Sequence, residues 1–255
     1  MLEEYQQDRQ GKMTMLYKKF QDIELSALGL GCMRFPVLNG DDGQIDKSQA
    51  ETIVRYAMEH GVNYYDTAWP YHKGQSEPVI GRILSKYPRE AYYLATKFPG
   101  YLTENFPEAE FCQIQLNYMD WTFQRAQDKV QLLRERGIPI WVMEPVRGGR
   151  LASLDEASET TLHTLQSEES IPAWAFRFLQ SIDGIVMVLS GMSNFEQLQD
   201  NIKTMSESKP LSPAEMETLL CIAQELTRRT AVPCTRCRYC VEKCPKKLDI
   251  PSLLA

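Results

Sequence analysis

The sequence lacks any long hydrophobic run. Its 255 residues are 43% apolar, yet no stretch approaches the roughly 20 consecutive apolar residues that a membrane-spanning helix requires. Residues 1–14 (MLEEYQQDRQGKMT) are polar and contain no apolar core, which argues against a secretory signal and predicts a disordered leader. We therefore expect a protein of the reducing cytoplasm with no membrane partner.

Positive charge and histidine are also scarce. Acidic residues outnumber basic residues by 34 to 28, and the resulting net charge of −6 argues against nucleic-acid binding. There are three histidines: His60, His72 and His163. The chain contains no low-complexity segment and no short internal repeat. Its length predicts one large domain over residues 15–209, followed by a small C-terminal segment over residues 210–255.

Cysteine is concentrated near the C-terminus, where Cys234, Cys237, Cys240 and Cys244 follow the spacing C-x2-C-x2-C-x3-C-P. In bacterial ferredoxin-type sequences this run holds a [4Fe–4S] cluster by cysteine thiolates. Structural zinc usually takes two C-x2-C pairs separated by a longer loop, and disulfides need an oxidising compartment. The spacing therefore predicts a [4Fe–4S] cluster. Its fourth ligand is either Cys244 or Cys221, because in two-cluster ferredoxins the last cysteine of the run binds the other cluster.

Strand-like and helix-like segments alternate through the rest of the chain, which predicts βα units and a parallel sheet. Ser48, Asn194 and Ser212 each begin a sequence pattern typical of a helix N-cap. Strand patterns occur at residues 26–36, 62–68, 91–98, 110–119, 138–145 and 184–192. A closed (β/α)8 barrel needs eight strands. The predicted fold class is therefore a TIM-barrel-like α/β fold that is incomplete, with about six of the eight strands.

Three polar residues fall where barrel strands should end, which is the face on which such enzymes place their sites. Asp66 closes one strand, Tyr71 follows it, and Lys97 closes the next strand. A phenol has a pKa of about 10, and a buried ammonium group beside it lowers that pKa, while a carboxylate keeps the lysine charged. The trio suits proton donation to a carbonyl oxygen. Singly, each residue is equally consistent with a cap, a loop aromatic or a surface lysine.

Six motifs resemble those of the aldo/keto reductases, and more narrowly the bacterial and archaeal subgroup with a C-terminal ferredoxin-type segment. They lie in order at residues 27–35, 66–71, 95–97, 111–118, 143–149 and 190–197. The resemblance implies a barrel that binds NADP(H) and reduces a small carbonyl compound, with Tyr71 as general acid and Asp66 and Lys97 as its tuning partners. It also implies six cofactor-binding residues: Gln113, Pro145, Gly191, Ser193, Gln197 and Asn201.

The chain departs from the family pattern in one region. The family's fourth catalytic residue is a histidine at the end of the fourth strand, but residues 99–109 lead directly into what resembles the sixth strand. The fourth and fifth βα units are thus predicted to be absent, and none of the three histidines replaces the missing one. The strands at 91–98 and 110–119 either pair with each other or keep open edges, which invite association.

Two other hypotheses stand beside the reductase. An intact cysteine run next to a shortened barrel is consistent with an electron-transfer or redox-sensing iron–sulfur protein, built on a catalytically degenerate reductase scaffold and working with a redox protein partner. Loss of two βα units is also consistent with an inactive deletion product. The ordered motifs favour the reductase.

Overall fold

The structure, a computed structural model, describes residues 15–96, 111–229, 234, 239–242, 244–246 and 248–253. An antiparallel hairpin comes first, formed by β1 (Tyr17–Phe20) and β2 (Ile23–Ser26). The central sheet comprises β3 (Leu28–Gly31), β4 (Tyr64–Asp66), β5 (Tyr93–Ala95), β6 (Cys112–Gln115), β7 (Ile140–Met143) and β8 (Ile185–Gly191). Across the described ranges, no helix is both long enough and apolar enough to span a bilayer.

The central sheet is a curled half-barrel. Its strands run in the order β5-β4-β3-β8-β7-β6, and every pairing is parallel. β3 and β8, the first and last strands of this sheet along the chain, lie side by side at its centre, with Leu28 opposite Val188 and Gly31 opposite Gly191. The six parallel strands predicted from the sequence are therefore confirmed, and β3 and β8 join as they would in a barrel.

The sheet is open between β5 and β6. These strands lie at opposite edges of the sheet, so of the two arrangements that the sequence allowed, the described strands adopt open edges rather than direct pairing. Leu94 on β5 is 39% exposed and Phe111, just before β6, is 38% exposed. Lys97 and residues 98–110, which connect the two edges, lie outside the described residues.

Ten helices are described. They are α1 (Lys47–Glu59), α2 (Ser76–Leu84), α3 (Asp120–Phe123), α4 (Ala126–Glu135), α5 (Glu156–Leu165), α6 (Ile171–Gln180), α7 (Phe195–Met205), α8 (Pro213–Arg228), α9 (Tyr239–Glu242) and α10 (Ile250–Leu253). The predicted caps of α7 and α8 are confirmed, since the side chains of Asn194 and Ser212 accept hydrogen bonds from the first turns. The prediction of Ser48 as the cap of α1 is wrong.

Asp46 caps α1 instead. Its carboxylate accepts hydrogen bonds from the backbone N–H groups of Ser48 and Gln49, at 3.1 and 3.0 Å. A carboxylate serves two of the unpaired N–H groups of the first turn at once, and its charge is favoured at the positive end of the helix dipole. The helix therefore begins one residue before Ser48, at Lys47.

The half-barrel encloses a small inner core. Tyr64, Trp141, Met187 and Leu189 project into it from the strands, and Leu25 of the hairpin closes it from below. Gly29 leaves room for this packing, because an added Cβ would lie 2.7 Å from Leu189 Cδ2 and 2.9 Å from Met187 Sδ. The hairpin therefore fills the N-terminal end of the half-barrel, and the opposite end is left for a site.

A buried ion pair ties α8 to α6. Arg177 donates from Nη2 to Glu215 Oε1 at 2.8 Å and from Nε to the carbonyl oxygen of Lys209 at 3.0 Å. Burial alone would raise the pKa of Glu215, but the Ser212 N–H and the Arg177 guanidinium outweigh it and lower the pKa to about 2. The pair fixes the helix that leads towards the cysteines. The predicted domain boundary at residues 209 and 210 stays a prediction.

Candidate active site

A cavity of about 500 Å³ opens at the C-terminal end of the half-barrel. Four strands contribute their last residues to its lining: Gly31 of β3, Asp66 of β4, Met143 of β7 and Gly191 of β8. Parallel strands bring their carboxyl ends to one face, and barrel enzymes place their sites there. The cavity therefore lies where the predicted fold puts an active site.

Eight of the predicted site residues line this one cavity. Asp66 and Tyr71 come from β4 and the loop after it. The six residues predicted for the cofactor also line it: Gln113, Pro145, Gly191, Ser193, Gln197 and Asn201. Lys97, the ninth, lies outside the described residues. The motifs are far apart in the sequence, and the sheet topology brings them together.

Tyr71 begins a tight turn that His72 holds in place. In this turn, Tyr71–Gly74, both His72 and Lys73 have a left-handed φ of 52°. His72 Nε2 accepts a hydrogen bond from the Phe35 N–H at 3.1 Å, and Nδ1 lies 3.0 Å from the carbonyl oxygen of Asp42. Because Nε2 accepts, the ring proton is on Nδ1, which donates to Asp42. The imidazole, 3% exposed, thus joins the Tyr71 turn to the loop after β3.

The same two loops are joined a second time through Ser76, the first residue of α2. Its hydroxyl donates to the carbonyl oxygen of Cys32 at 2.9 Å and accepts from Thr67 Oγ1, also at 2.9 Å. The Cys32 N–H in turn donates to the carbonyl oxygen of Asp66 at 2.7 Å. Asp66 and Tyr71 are therefore carried by a buried hydrogen-bonded frame, which a precisely placed proton donor needs.

Little in the sequence indicates this frame. The context of His72 does not match that of the family's catalytic histidine, and in the structure its ring bonds to the loop after β3. Its one sequence signal is its place directly after Tyr71. Its partners, Phe35 and Asp42, lie 37 and 30 residues away, and no local pattern encodes such a contact.

A buried ion pair supports the other wall of the cavity. Arg147 and Asp120 are both 0% exposed, and Arg147 Nε lies 3.1 and 3.2 Å from the two carboxylate oxygens. Asp120 also accepts from Gln115 Nε2 at 2.7 Å and from Asn117 Nδ2 at 2.8 Å. The pair fixes the loop after β7, which forms much of the cavity wall through residues 144–149.

The charge of the cavity is mainly negative. Arg34 is the one basic residue in its described lining. Burial raises the pKa of Glu144, and the Gly148 N–H and the charge of Arg34 partly offset this effect. The stem of Arg34 crosses Gly191, where an added Cβ would lie 3.0 Å from Arg34 Cγ. The acidic residues of the lining are Asp66, Glu144, Glu196 and Asp200.

The start of α7 forms one end of the cavity. Asn194 caps the helix by accepting from the Gln197 N–H at 2.9 Å, and Gln197 Oε1 accepts from the Ser193 N–H at 2.8 Å. Asn201 Nδ2 donates to Ser190 Oγ at 3.2 Å. The N-terminus of a helix favours a phosphate, because unpaired N–H groups and the helix dipole meet there. The arrangement can therefore receive an anionic part of a cofactor.

Three of the four predicted cluster ligands are described. Cys234 and Cys244 are partly buried, and Cys240 is exposed. Cys237 lies outside the described residues. In the part of the chain that the structure covers, no three His, Cys, Asp or Glu side chains converge to hold a metal ion. The cluster, and the choice between Cys244 and Cys221, stay predictions.

Residues 27–110 match the model of the Aldo/keto reductase family. Probable aldo-keto reductase 1 of Glycine max is 33% identical over 88 residues, covering 34% of this chain and 25% of the relative. NADH-specific methylglyoxal reductase of Escherichia coli (strain K12) is 38% identical over 79 residues, covering 30% of this chain and 23% of the relative. Versiconal hemiacetal acetate reductase of Aspergillus parasiticus is 25% identical over 224 residues, covering 78% and 63%. The chain thus spans less than two thirds of the length of each.

Solved structures extend the likeness to most of the fold. A thermostable aldo-keto reductase, Tm1743, superposes with a TM-score of 0.63 at 17% identity, covering 82% of this chain and 100% of that chain. The holo form of aldo-keto reductase AKR11C1 from Bacillus halodurans gives 0.61 at 18% identity, covering 82% and 96%. The sequence match to the aldo/keto reductase family covers residues 27–110, and the solved structures show a similar fold over 82% of the chain.

Proposed function

We propose that the protein is an aldo/keto-reductase-type oxidoreductase that reduces a small carbonyl compound with a reduced nicotinamide dinucleotide. The observation that supports this most strongly is the single cavity that gathers Asp66, Tyr71 and all six predicted cofactor residues. Its volume of about 500 Å³ is within the range of small-molecule sites, roughly 300–1,000 Å³. The N-terminus of α7 suits a phosphate group, and the positive charge of Arg34 suits the pyrophosphate. The residues present therefore fit a dinucleotide.

The chemistry divides between cofactor and protein. When bound, the reduced nicotinamide supplies a hydride to the carbonyl carbon. Tyr71 donates its hydroxyl proton to the carbonyl oxygen, so that the product is an alcohol, and the phenolate then regains a proton from water. The Lys97 ammonium group would lower the pKa of the phenol and so make it a better acid, and the Asp66 carboxylate would keep the lysine charged. Gln113, which lines the cavity from β6, would orient the nicotinamide through its side-chain amide.

Turnover tests this proposal directly. The full chain, prepared without oxygen, is mixed with NADH or NADPH and a panel of small aldehydes and ketones, and the absorbance of the reduced nicotinamide is followed. We expect carbonyl-dependent oxidation of the cofactor. Dinucleotide binding without turnover on any carbonyl would favour the degenerate scaffold, and the absence of both binding and turnover would favour the inactive deletion product.

We also propose that the C-terminal run holds a [4Fe–4S] cluster, which suits the reducing cytoplasm. Its support is the spacing of the four cysteines. When bound, such a cluster accepts and releases one electron. Four cysteine ligands on a chain whose half-barrel has open edges support a second candidate function, which is electron transfer or redox sensing with a redox protein partner.

Metal analysis of variants identifies the fourth ligand. Anaerobically prepared protein should contain about four iron and four sulfide per chain. Cys240→Ser should lose most of this iron, whereas Cys221→Ser, an exposed thiol on α8, should keep it. Loss of iron in Cys221→Ser with retention in Cys244→Ser would assign the fourth position to Cys221. An iron-free wild-type protein would refute the cluster.

A further inference from the structure

Glu144, the first residue after β7, has three unusual features in the wall of the cavity. Its φ of 59° is left-handed, a conformation that residues other than glycine rarely adopt. Its Oε2 is buried and has no hydrogen-bond partner among the described residues. Burial also raises its pKa. Backbone strain and an unpaired buried polar atom at one position are typical of a functional residue, and the mechanism proposed above does not use Glu144.

Groups from three parts of the described chain act on the Glu144 carboxyl. Arg34, in the loop after β3, and Arg147, in the loop after β7, favour its ionised form, whereas Asp120 of α3 disfavours it. The Gly148 N–H also favours the ionised form. Burial has the largest effect, so the pKa lies above its ordinary value. A further negative charge nearby would raise the pKa again, because it disfavours a second negative charge.

The proposed cofactor brings such a charge, and in this respect the inference rests on the proposed function. A dinucleotide carries a negatively charged pyrophosphate, and it must enter a cavity whose described lining has four carboxylates and one arginine. A cavity of about 500 Å³ is on the order of 10 Å across, which is about one Debye length at roughly 0.1 M salt. A phosphate group at any position inside it therefore acts on Glu144 and also attracts Arg34.

The other three carboxylates of the lining are less suited to take up a proton. Asp200 accepts a side-chain hydrogen bond at 2.6 Å. Glu196 is exposed, so water solvates its charge. Asp66 is proposed to keep Lys97 charged, and it must be ionised to do so. The carboxyl of Glu144 has a buried oxygen without a partner among the described residues, and protonation removes the cost of burying its charge.

We propose that Glu144 takes up a proton when the dinucleotide binds, and that this uptake allows a mainly negative cavity to accept an anionic ligand. The proton comes from solvent and bonds to a carboxylate oxygen, so the lining loses one negative charge as the charge of the cofactor enters. Because the bound anion raises the pKa of Glu144, binding is tightest below that pKa and weakens as the pH rises through it.

Calorimetric titration of the full chain with NADH, in buffers that differ in ionisation enthalpy, measures the protons taken up per ligand bound. We expect uptake of a fraction of one proton near neutral pH, and a dissociation constant that rises with pH by at most about tenfold per pH unit, the limit for one proton. Glu144→Gln resembles the protonated form and cannot titrate, so it should abolish this uptake and bind NADH more tightly than the wild type at alkaline pH. NADPH serves equally if it is the tighter ligand, since titration of its own 2′-phosphate is common to both proteins.

Infrared difference spectroscopy detects the same event as the gain of a protonated carboxyl band on binding, which Glu144→Gln should lack. Glu217→Gln is the matched control, because it makes the same substitution at an exposed position on α8, and it should keep the wild-type uptake. Binding without proton uptake, or equal uptake in Glu144→Gln, would overturn this inference while leaving the proposed function intact. If neither dinucleotide binds, the proposed function fails, and the inference fails with it.

Discussion

Replacing Tyr71 by phenylalanine should lower kcat for carbonyl reduction by about 10²–10⁴-fold, the usual contribution of a positioned general acid. The hydroxyl group is the proton donor, and phenylalanine keeps the ring while removing the proton. The dissociation constant of the reduced dinucleotide should change by less than about twofold, because the predicted cofactor contacts lie on other elements. Steady-state turnover and calorimetric titration on the same preparation measure both quantities.

The control for this substitution is Tyr87→Phe. Tyr87 is a partly buried tyrosine that packs against the outer core and does not line the cavity. It should retain full turnover. Unchanged kcat in Tyr71→Phe would show that another group supplies the proton. Equal loss of turnover in both variants would point to a general loss of stability instead.

The arrangement around Tyr71 makes this result informative despite the missing family histidine. His72 and Ser76 tie the Tyr71 turn to the loop after β3 through buried hydrogen bonds of 2.9–3.1 Å. The acid is thereby held without help from the βα units predicted to be absent. Positioning and proton transfer are separable contributions, so a chain that lacks the histidine can keep part of the activity.

The sequence predicted most of the cavity because strand ends and motifs coincide. Asp66, Gln113 and Gly191 each lie in or at the end of a strand whose apolar pattern is readable, and parallel strands bring such residues to one face. The hairpin β1–β2 was not predicted. Its turn uses Gln21 with a left-handed φ of 51°, where pattern-based recognition of hairpins relies on Gly or Asn.

Features that depend on long-range contacts could not be read in this way. The clamp by His72 and the pair between Asp120 and Arg147 join residues 27–37 positions apart. The open sheet edges were one of two alternatives, because chain length permits both and the packing of the sheet decides between them. β3 and β8 are paired, so the cavity at their carboxyl ends does not depend on the two βα units predicted to be absent.

Replacing Asp120 by alanine should lower the free energy of unfolding by about 3–5 kcal/mol, the cost of breaking a buried ion pair from one side. Arg147 would stay fully buried with its charge uncompensated. Its Nη1 and Nη2 already lack hydrogen-bond partners within the described part of the chain, and its Cζ lies 5.6 Å from the centroid of the Phe123 ring. Urea denaturation followed by circular dichroism measures the loss.

Two comparisons separate this effect from a general sensitivity to lost charge. Asp183→Ala breaks the pair between Arg134 and Asp183, whose side chains are 51% and 85% exposed, and it should cost less than about 1 kcal/mol.

Combining Asp120→Ala with Arg147→Met should be less costly than Asp120→Ala alone, because no buried charge is then left unpaired. If the double variant is the less stable of the two, the pair is not the source of the loss. If stability recovers but dinucleotide binding weakens, the pair serves to hold the loop of residues 144–149 against the cavity rather than to stabilise the fold.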